Sequence, residues 1–186
     1  MIFEFLADGF EEIEALCPID VIRRAGLEIK TVAVGGKNDK KITGSHGICV
    51  NAELSLSDAV LLSEKEKIDM IILPGGMPGA KNLDENPIVE SFLNRAYTDG
   101  AYIASICAAP MIPGKRGMLR GRRAVCYPGF EEYLDGAILT GGRVEADGNM
   151  ITACGMGAAV EFSLKLVELL KGEEAAKMIH AAILAK

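Results

Sequence analysis

The sequence predicts an α/β fold in which a mainly parallel sheet is covered by helices on both faces. Two observations carry that expectation. Short apolar runs such as Ile2 to Leu6, Ile68 to Leu73 and Tyr102 to Ile106 read as strands buried on both faces. Amphipathic stretches lie between such runs, and strands separated by helices build parallel sheets. The length of 186 residues fits one domain, taken as residues 1–186. The hydrophobic share of 49% is enough for a sizeable core and argues against disorder.

Taken in order, Ile2 to Leu6 is the first strand. Phe10 to Arg24 is a helix, with Ile13, Leu16, Ile19 and Ile22 at spacings of three. Pro18 should bend it and Gly26 should end it. Leu27 to Val34 is the second strand. Gly44, Ser45 and Gly47 form a turn before a short strand from Ile48 to Val50, and Ser57 to Leu62 is a short helix. The strand Ile68 to Leu73 stops at Pro74-Gly75-Gly76. Pro87 opens a helix running to Ala96, a position proline favours. Tyr102 to Ile106 is a strand that runs directly into a helix begun by Cys107-Ala108-Ala109-Pro110, which Pro113 and Gly114 should break early. Arg123 to Cys126 is a strand, and a short helix lies around Phe130 to Leu134. Asp147-Gly148-Asn149 is a hairpin signal between Arg143–Ala146 and Met150–Ala153. Gly157 to Leu170 and Glu173 to Leu184 are the last helices.

Twenty-six acidic against 20 basic side chains leave a formal net charge of -6, the wrong sign for a general nucleic-acid binder. No run of about 18 apolar residues is present, so no transmembrane helix is expected. The first residues lack a basic n-region, and Asp8, Glu11 and Glu12 follow at once, which predicts no secretory leader. Five cysteines without a CxxC pair suggest neither a disulfide framework nor a zinc finger. A reduced cytoplasmic chain is the expectation.

Ligands of open α/β sheets bind beyond the carboxyl ends of the strands. Three features fall there. Cys107 stands where a strand ends and small residues follow, the context of a nucleophile elbow. A thiol at a helix N-terminus faces unpaired N–H groups and the positive end of the helix dipole, which favours the thiolate. Gly75 and Gly76 bring backbone without Cβ to a strand end, either for a tight turn or as an oxyanion hole. Glu14 belongs to a glutamate cluster at the start of the first helix. Most such glutamates are solvated, but one buried beside an apolar face would have a raised pKa and could donate a hydrogen bond to a thiolate. His46 and His180 are poorly placed for a metal site. No GxSxG, P-loop or GxGxxG is present, so serine-hydrolase, P-loop and Rossmann readings lack support.

Ala7-Asp8-Gly9-Phe10-Glu11-Glu12-Ile13-Glu14, Asp20-Val21-Ile22-Arg23-Arg24-Ala25-Gly26, Leu73-Pro74-Gly75-Gly76 and Ser105-Ile106-Cys107-Ala108-Ala109-Pro110 resemble the ThiJ/PfpI superfamily. Their branch is that of the parkinsonism-associated protein DJ-one. Cys126-Tyr127-Pro128-Gly129-Phe130-Glu131 is similar to its bacterial members, and the resemblance runs from residue 1 to about 184. It implies a flavodoxin-like sandwich with a nucleophile elbow, usually a homodimer. By the same resemblance Cys107 is the reactive cysteine and Glu14 the buried glutamate bonded to it. Gly76 and Ala108 direct N–H groups at the reacting oxygen, and Asp20 and Arg24 lie near the dimer interface.

The activities so implied are cofactor-free glyoxalase and deglycase chemistry on small aldehydes or glycated groups, oxidative-stress sensing, chaperone activity and peptidase activity. A thiazole monophosphate biosynthesis role is an older association. The leading expectation is an enzyme that converts methylglyoxal to lactate through a nucleophilic Cys107, with no metal or organic cofactor and with no nucleic-acid or membrane partner. The chain departs from the pattern in places. Ala108 stands where protease-like members have histidine, which disfavours proteolysis. Tyr127 stands where some members have histidine, and His46 and Cys154 stand where some have arginine near an anion site. Tyr127 and His46 are therefore expected as neighbours of the site.

Overall fold

The structure, a computed structural model, describes residues 1–35 and 40–185. In chain order the elements are β1 (Ile2–Ala7), α1 (Glu12–Arg24), β2 (Ile29–Val34), β3 (Lys41–Thr43), β4 (Cys49–Asn51), β5 (Leu54–Ser55), α2 (Leu56–Ser63) and β6 (Met70–Leu73). There follow α3 (Gly79–Asp84), α4 (Pro87–Thr98), β7 (Tyr102–Ile106), α5 (Met111–Lys115), β8 (Arg123–Ala124) and β9 (Ile138–Leu139). The chain ends with β10 (Val144–Asp147), β11 (Met150–Ala153), α6 (Ala159–Lys171) and α7 (Glu173–Ala182).

Seven strands form one sheet in the order β10-β11-β7-β6-β1-β2-β5. All neighbours run parallel except β10, which returns antiparallel beside β11 through the Asp147–Met150 turn. From β1 the chain proceeds outward to β2 and β5, then crosses back to place β6 on the other flank of β1. The order reverses between β1 and β6, so a crevice opens beyond their carboxyl ends. Segments after β1, β6 and β7 meet there.

Alternation within β1 explains the two layers. Phe3, Phe5 and Ala7 face a core shared with Val89, Phe92, Leu93 and Ala96 of α4. Phe3 and Phe5 each meet Phe92 edge-on, with ring centroids 5.4 and 5.1 Å apart. Ile2 faces the opposite core, built from Ile19 and Ile22 of α1 and Phe162, Leu166 and Val167 of α6. Glu4 shares that second face. It is fully buried, and neither carboxyl oxygen has a hydrogen-bond partner. No helix among the described residues is long and apolar enough to cross a membrane.

Three local expectations differ from the structure. Ile19 and Ile22 are buried, but Ile13 and Leu16 are exposed on α1. The buried positions are instead Glu12, Glu14, Ala15, Pro18, Ile19, Val21 and Ile22, so the inward stripe is rotated and begins with carboxylates. The strand expected over Arg123 to Cys126 is only β8, paired with β9 in a small separate sheet. Residues 107–110 are turn, and α5 starts at Met111 and is five residues long. Pro110 and Pro113 lie at its N-cap and first turn, where a missing donor costs little, and the left-handed Gly117, φ 70°, follows directly after its end.

Candidate active site

Cys107 follows the last residue of β7 with φ 64°, a left-handed conformation that a side chain rarely adopts. Long-range hydrogen bonds hold it there. Its N–H donates to the Ala153 carbonyl at 2.8 Å, and its carbonyl accepts from the Tyr127 N–H at 2.8 Å. Strain of this kind costs about 1–3 kcal/mol and persists where surrounding structure over-determines it. The elbow turns the half-buried thiol toward α1.

Glu14 meets it from the first turn of α1. The carboxyl is 1% exposed, and its Oε2 accepts the Gly75 N–H at 3.1 Å. The Cys107 thiol lies beside it, and each group shifts the titration of the other. Gly75 can lie against both because it has no Cβ. An added Cβ would stand 2.5 Å from Glu14 Oε2 and 2.7 Å from Cys107 Cβ. The β6 end is thus shaped by close approach as well as by turning.

Burial raises the Glu14 pKa to about 7; the Glu11 charge adds to the rise, while hydrogen bonds from Cys107, Gly75 and Met156 oppose it. Burial also pushes the Cys107 thiol up to about 12, reinforced by the charge and hydrogen bond of Glu14. The backbone N–H groups of Ala108 and Gly76 pull the other way. Burial and the facing carboxylate thus act against the thiolate that a helix N-terminus would favour. The helix starts four residues too late, and a carboxylate faces the sulfur. The two groups titrate as a pair that gives up its first proton near pH 7.

The other sequence-derived residues are distributed as follows. The Tyr127 ring is half exposed beside the elbow. His46 is held by Glu12 and not by Cys107: its N–H donates to Glu12 Oε1 at 2.7 Å, and its Nδ1 lies 2.9 Å from Oε2. Burial pushes the Glu12 pKa up, but bonds from the His46 ring and N–H, its own N–H and the Ile48 N–H outweigh this and bring it to about 2. The same bond raises the His46 pKa. Glu11, Glu12 and His46 bring possible metal-ligand atoms within 4.8 Å of one another, so His46 is less isolated than its sequence context suggests. Glu12's oxygens are already engaged by Ser45, His46 and Ile48 donors. Asp20 and Arg24 form an exposed ion pair of 2.6 Å at the far end of α1, away from the thiol's contacts.

Sequence reasoning missed Gly155 and Met156. An added Cβ on Gly155 would lie 3.9 Å from Cys107 Sγ, 3.8 Å from Glu14 Oε1 and 3.3 Å from the Tyr127 ring. Gly155 is thus the point around which thiol, carboxyl and ring converge, and the Met156 backbone beside it lowers the Glu14 pKa. The signal was a glycine-rich run, Cys154-Gly155-Met156-Gly157, directly after a strand.

At the switch point of a doubly wound sheet, this arrangement is that of a flavodoxin-like protein carrying its cysteine on a nucleophile elbow. A family model described as the DJ-1/PfpI family matches residues 2–169, and the chain belongs to that family. It is 39% identical over 173 residues to DJ-1 homolog B of Arabidopsis thaliana, covering 92% of this chain. It spans only 38% of that longer plant protein. It is 31% identical over 168 residues to a deglycase of Pyrococcus abyssi, covering 89% of this chain and 96% of the archaeal one. The solved structure of an oxidized DJ-1 from Toxoplasma gondii superposes with a TM-score of 0.90 at 36% identity, over 98% of this chain and 97% of that one.

Proposed function

We propose that this chain is a cysteine-dependent, cofactor-free enzyme acting on small reactive aldehydes, converting methylglyoxal to lactate or removing such groups from glycated molecules. The observation that carries the reading is the buried Glu14 carboxyl packed beside a thiol on a strained elbow, both close against Gly75 and Gly155. A carboxyl titrating near pH 7 can both give and take a proton at neutral pH. The deglycase named among its relatives supports the same chemistry.

In the first step the Cys107 sulfur adds to the aldehyde carbon and the carbonyl oxygen takes a proton, giving a hemithioacetal. The N–H groups of Gly76 and Ala108, which favour negative charge on the sulfur, would stabilise an oxyanion forming beside it. The Glu14 carboxylate then removes the proton from that carbon and returns one to the neighbouring carbon. The result is a lactoyl thioester, which water hydrolyses to lactate and free Cys107. Methylglyoxal plus water equals lactic acid, so no external oxidant or cofactor is required.

Turnover of methylglyoxal without glutathione tests this directly. Wild type should produce lactate above a no-enzyme control, and Cys107→Ser should produce none. Absence of wild-type turnover would overturn the enzyme reading.

A second reading, an oxidative-stress sensor, is favoured by the oxidized state of the Toxoplasma structure. Peroxide would oxidise Cys107 to the sulfinate, with Glu14 as hydrogen-bond donor. Mass spectrometry after peroxide treatment would show that product in a protein without turnover. The reading extends to a cytoplasmic homodimer. Its support is the exposed pair Ile13 and Leu16 on α1, with Ile48, Met156 and Val160 also exposed and apolar, and Asp20 and Arg24 further along α1. Light scattering at micromolar concentration should give twice the chain mass, and a monomer would count against it.

A further inference from the structure

The first turn of α1 crowds carboxylates around the elbow. Glu11 caps the helix, its Oε2 accepting the Glu14 N–H at 2.8 Å, and its own N–H donates to the Gly75 carbonyl at 3.0 Å. Glu11 is therefore tied to both sides of the Cys107 site. Glu11, Glu12 and His46 place their polar atoms within 4.8 Å of one another, so two carboxylates share one imidazole. From the far side, Glu131 acts on Cys126, the neighbour of Tyr127. Arg143 lies near Cys154, but its guanidinium is taken by Glu161 at 2.8 Å and by the Gly157 carbonyl. Cys107 feels the Glu14 charge, and Glu14 feels the Glu11 charge. The two cations that border these groups, His46 and Arg143, are held by Glu12 and Glu161.

We propose that this site excludes anionic substrates and selects uncharged α-oxoaldehydes, with Glu11 as the specificity-determining side chain. The proposal rests on the reading of Cys107 as a nucleophile. An approaching carboxylate or phosphate meets the Glu11 charge and the negative charge of the Cys107–Glu14 pair, while the neighbouring His46 and Arg143 are already engaged by Glu12 and Glu161. At separations of several ångströms near a protein surface, such repulsion amounts to a rate factor on the order of ten. It weakens as salt shortens the screening length.

Two alkylating agents of similar size read this without any turnover. Iodoacetamide is neutral and iodoacetate is an anion. In each case the sulfur displaces iodide, an S–C bond forms and the C–I bond breaks. Thiolate content affects both rates equally, so their ratio reports the field. The Cys107 peptide would be quantified by mass spectrometry in folded protein at low salt and in the same chain unfolded in urea. The iodoacetamide-to-iodoacetate ratio should be about tenfold higher in the folded state and should fall toward the unfolded ratio in 1 M salt. Glu11→Gln keeps the capping oxygen and should lower the ratio several-fold. A folded ratio within twofold of the unfolded one, or one indifferent to salt, would overturn the proposal even if Glu11→Gln failed to fold.

Turnover adds a second arm. 2-Oxopentanal and 4,5-dioxovalerate differ only in a terminal methyl against a carboxylate. The first should be preferred in kcat/KM by a factor on the order of ten. Equal values would reject anion exclusion and leave the enzyme reading intact. No turnover of either, with the alkylation ratio as expected, would reject the enzyme reading and support the exclusion.

Discussion

Glu4 and Glu14 are two glutamates buried on the same side of the sheet, 0% and 1% exposed, and both have raised pKa values. Their surroundings differ in one respect. Glu14 receives a backbone N–H from Gly75, lies beside Cys107 and sits at the switch point. Glu4, near the middle of β1, has no hydrogen-bond partner, and Arg23, whose charge opposes the shift, is paired with Glu53. Burial alone shifts a carboxyl. Only converging donors and a nucleophile make the shift usable, so one glutamate belongs to a site and the other is a stability cost.

The largest test of that contrast is Glu14→Gln. The amide keeps the shape and can donate to sulfur, but it cannot take and return a proton. It should lower kcat by a factor on the order of 10²–10⁴ with Cys107 still oxidisable. A variant as fast as wild type would leave Glu14 as a structural partner and send the search for the base to Tyr127 and His46.

The next test uses pH. Below about 7 the pair holds both protons, so iodoacetamide labelling of Cys107 should fall about tenfold per pH unit toward pH 5. Above about 7 one proton remains, its sharing between sulfur and carboxyl does not depend on pH, and the rate should level off. Glu14→Gln should remove the plateau. A wild-type rate that climbs without a break to pH 10 would break the pairing.

Glu4 should respond in stability and not in rate. Its folded pKa lies above the unfolded value of about 4.3, so the folded chain keeps a proton that the unfolded chain gives up. Its contribution is intact below that range and is lost as pH rises. Glu4→Leu should gain about 1–3 kcal/mol at pH 8 and less at pH 5, read from urea unfolding. Turnover should not change. A variant less stable than wild type at pH 8 would show that Glu4 has a partner after all.

Much of this molecule is legible along the chain. Apolar runs mark β1, β6 and β7 because a strand buried on both faces has no room for alternation. Pro87, Gly75-Gly76 and Asp147-Gly148-Asn149 mark ends and turns because their backbone limits act locally. Cys107, Gly76 and Glu14 are candidates from their places after strands and at a helix start, and resemblance to a family is what pairs Glu14 with Cys107 and gives Gly76 and Ala108 their roles. Spacing pointed Ile13 and Leu16 inward, whereas the structure turns them out and buries Glu12 and Glu14.

What tertiary structure alone decided is everything that depends on which distant segments meet. Gly155, 48 positions after Cys107, lines the site only because β11 pairs with β7. The direction of the Cys107 shift reversed because β6 and α1 bring burial and a carboxylate to a thiol whose own sequence promised a helix dipole. Desolvation and Coulomb interactions are properties of what packs around an atom, and a residue's chain neighbours supply only part of that packing.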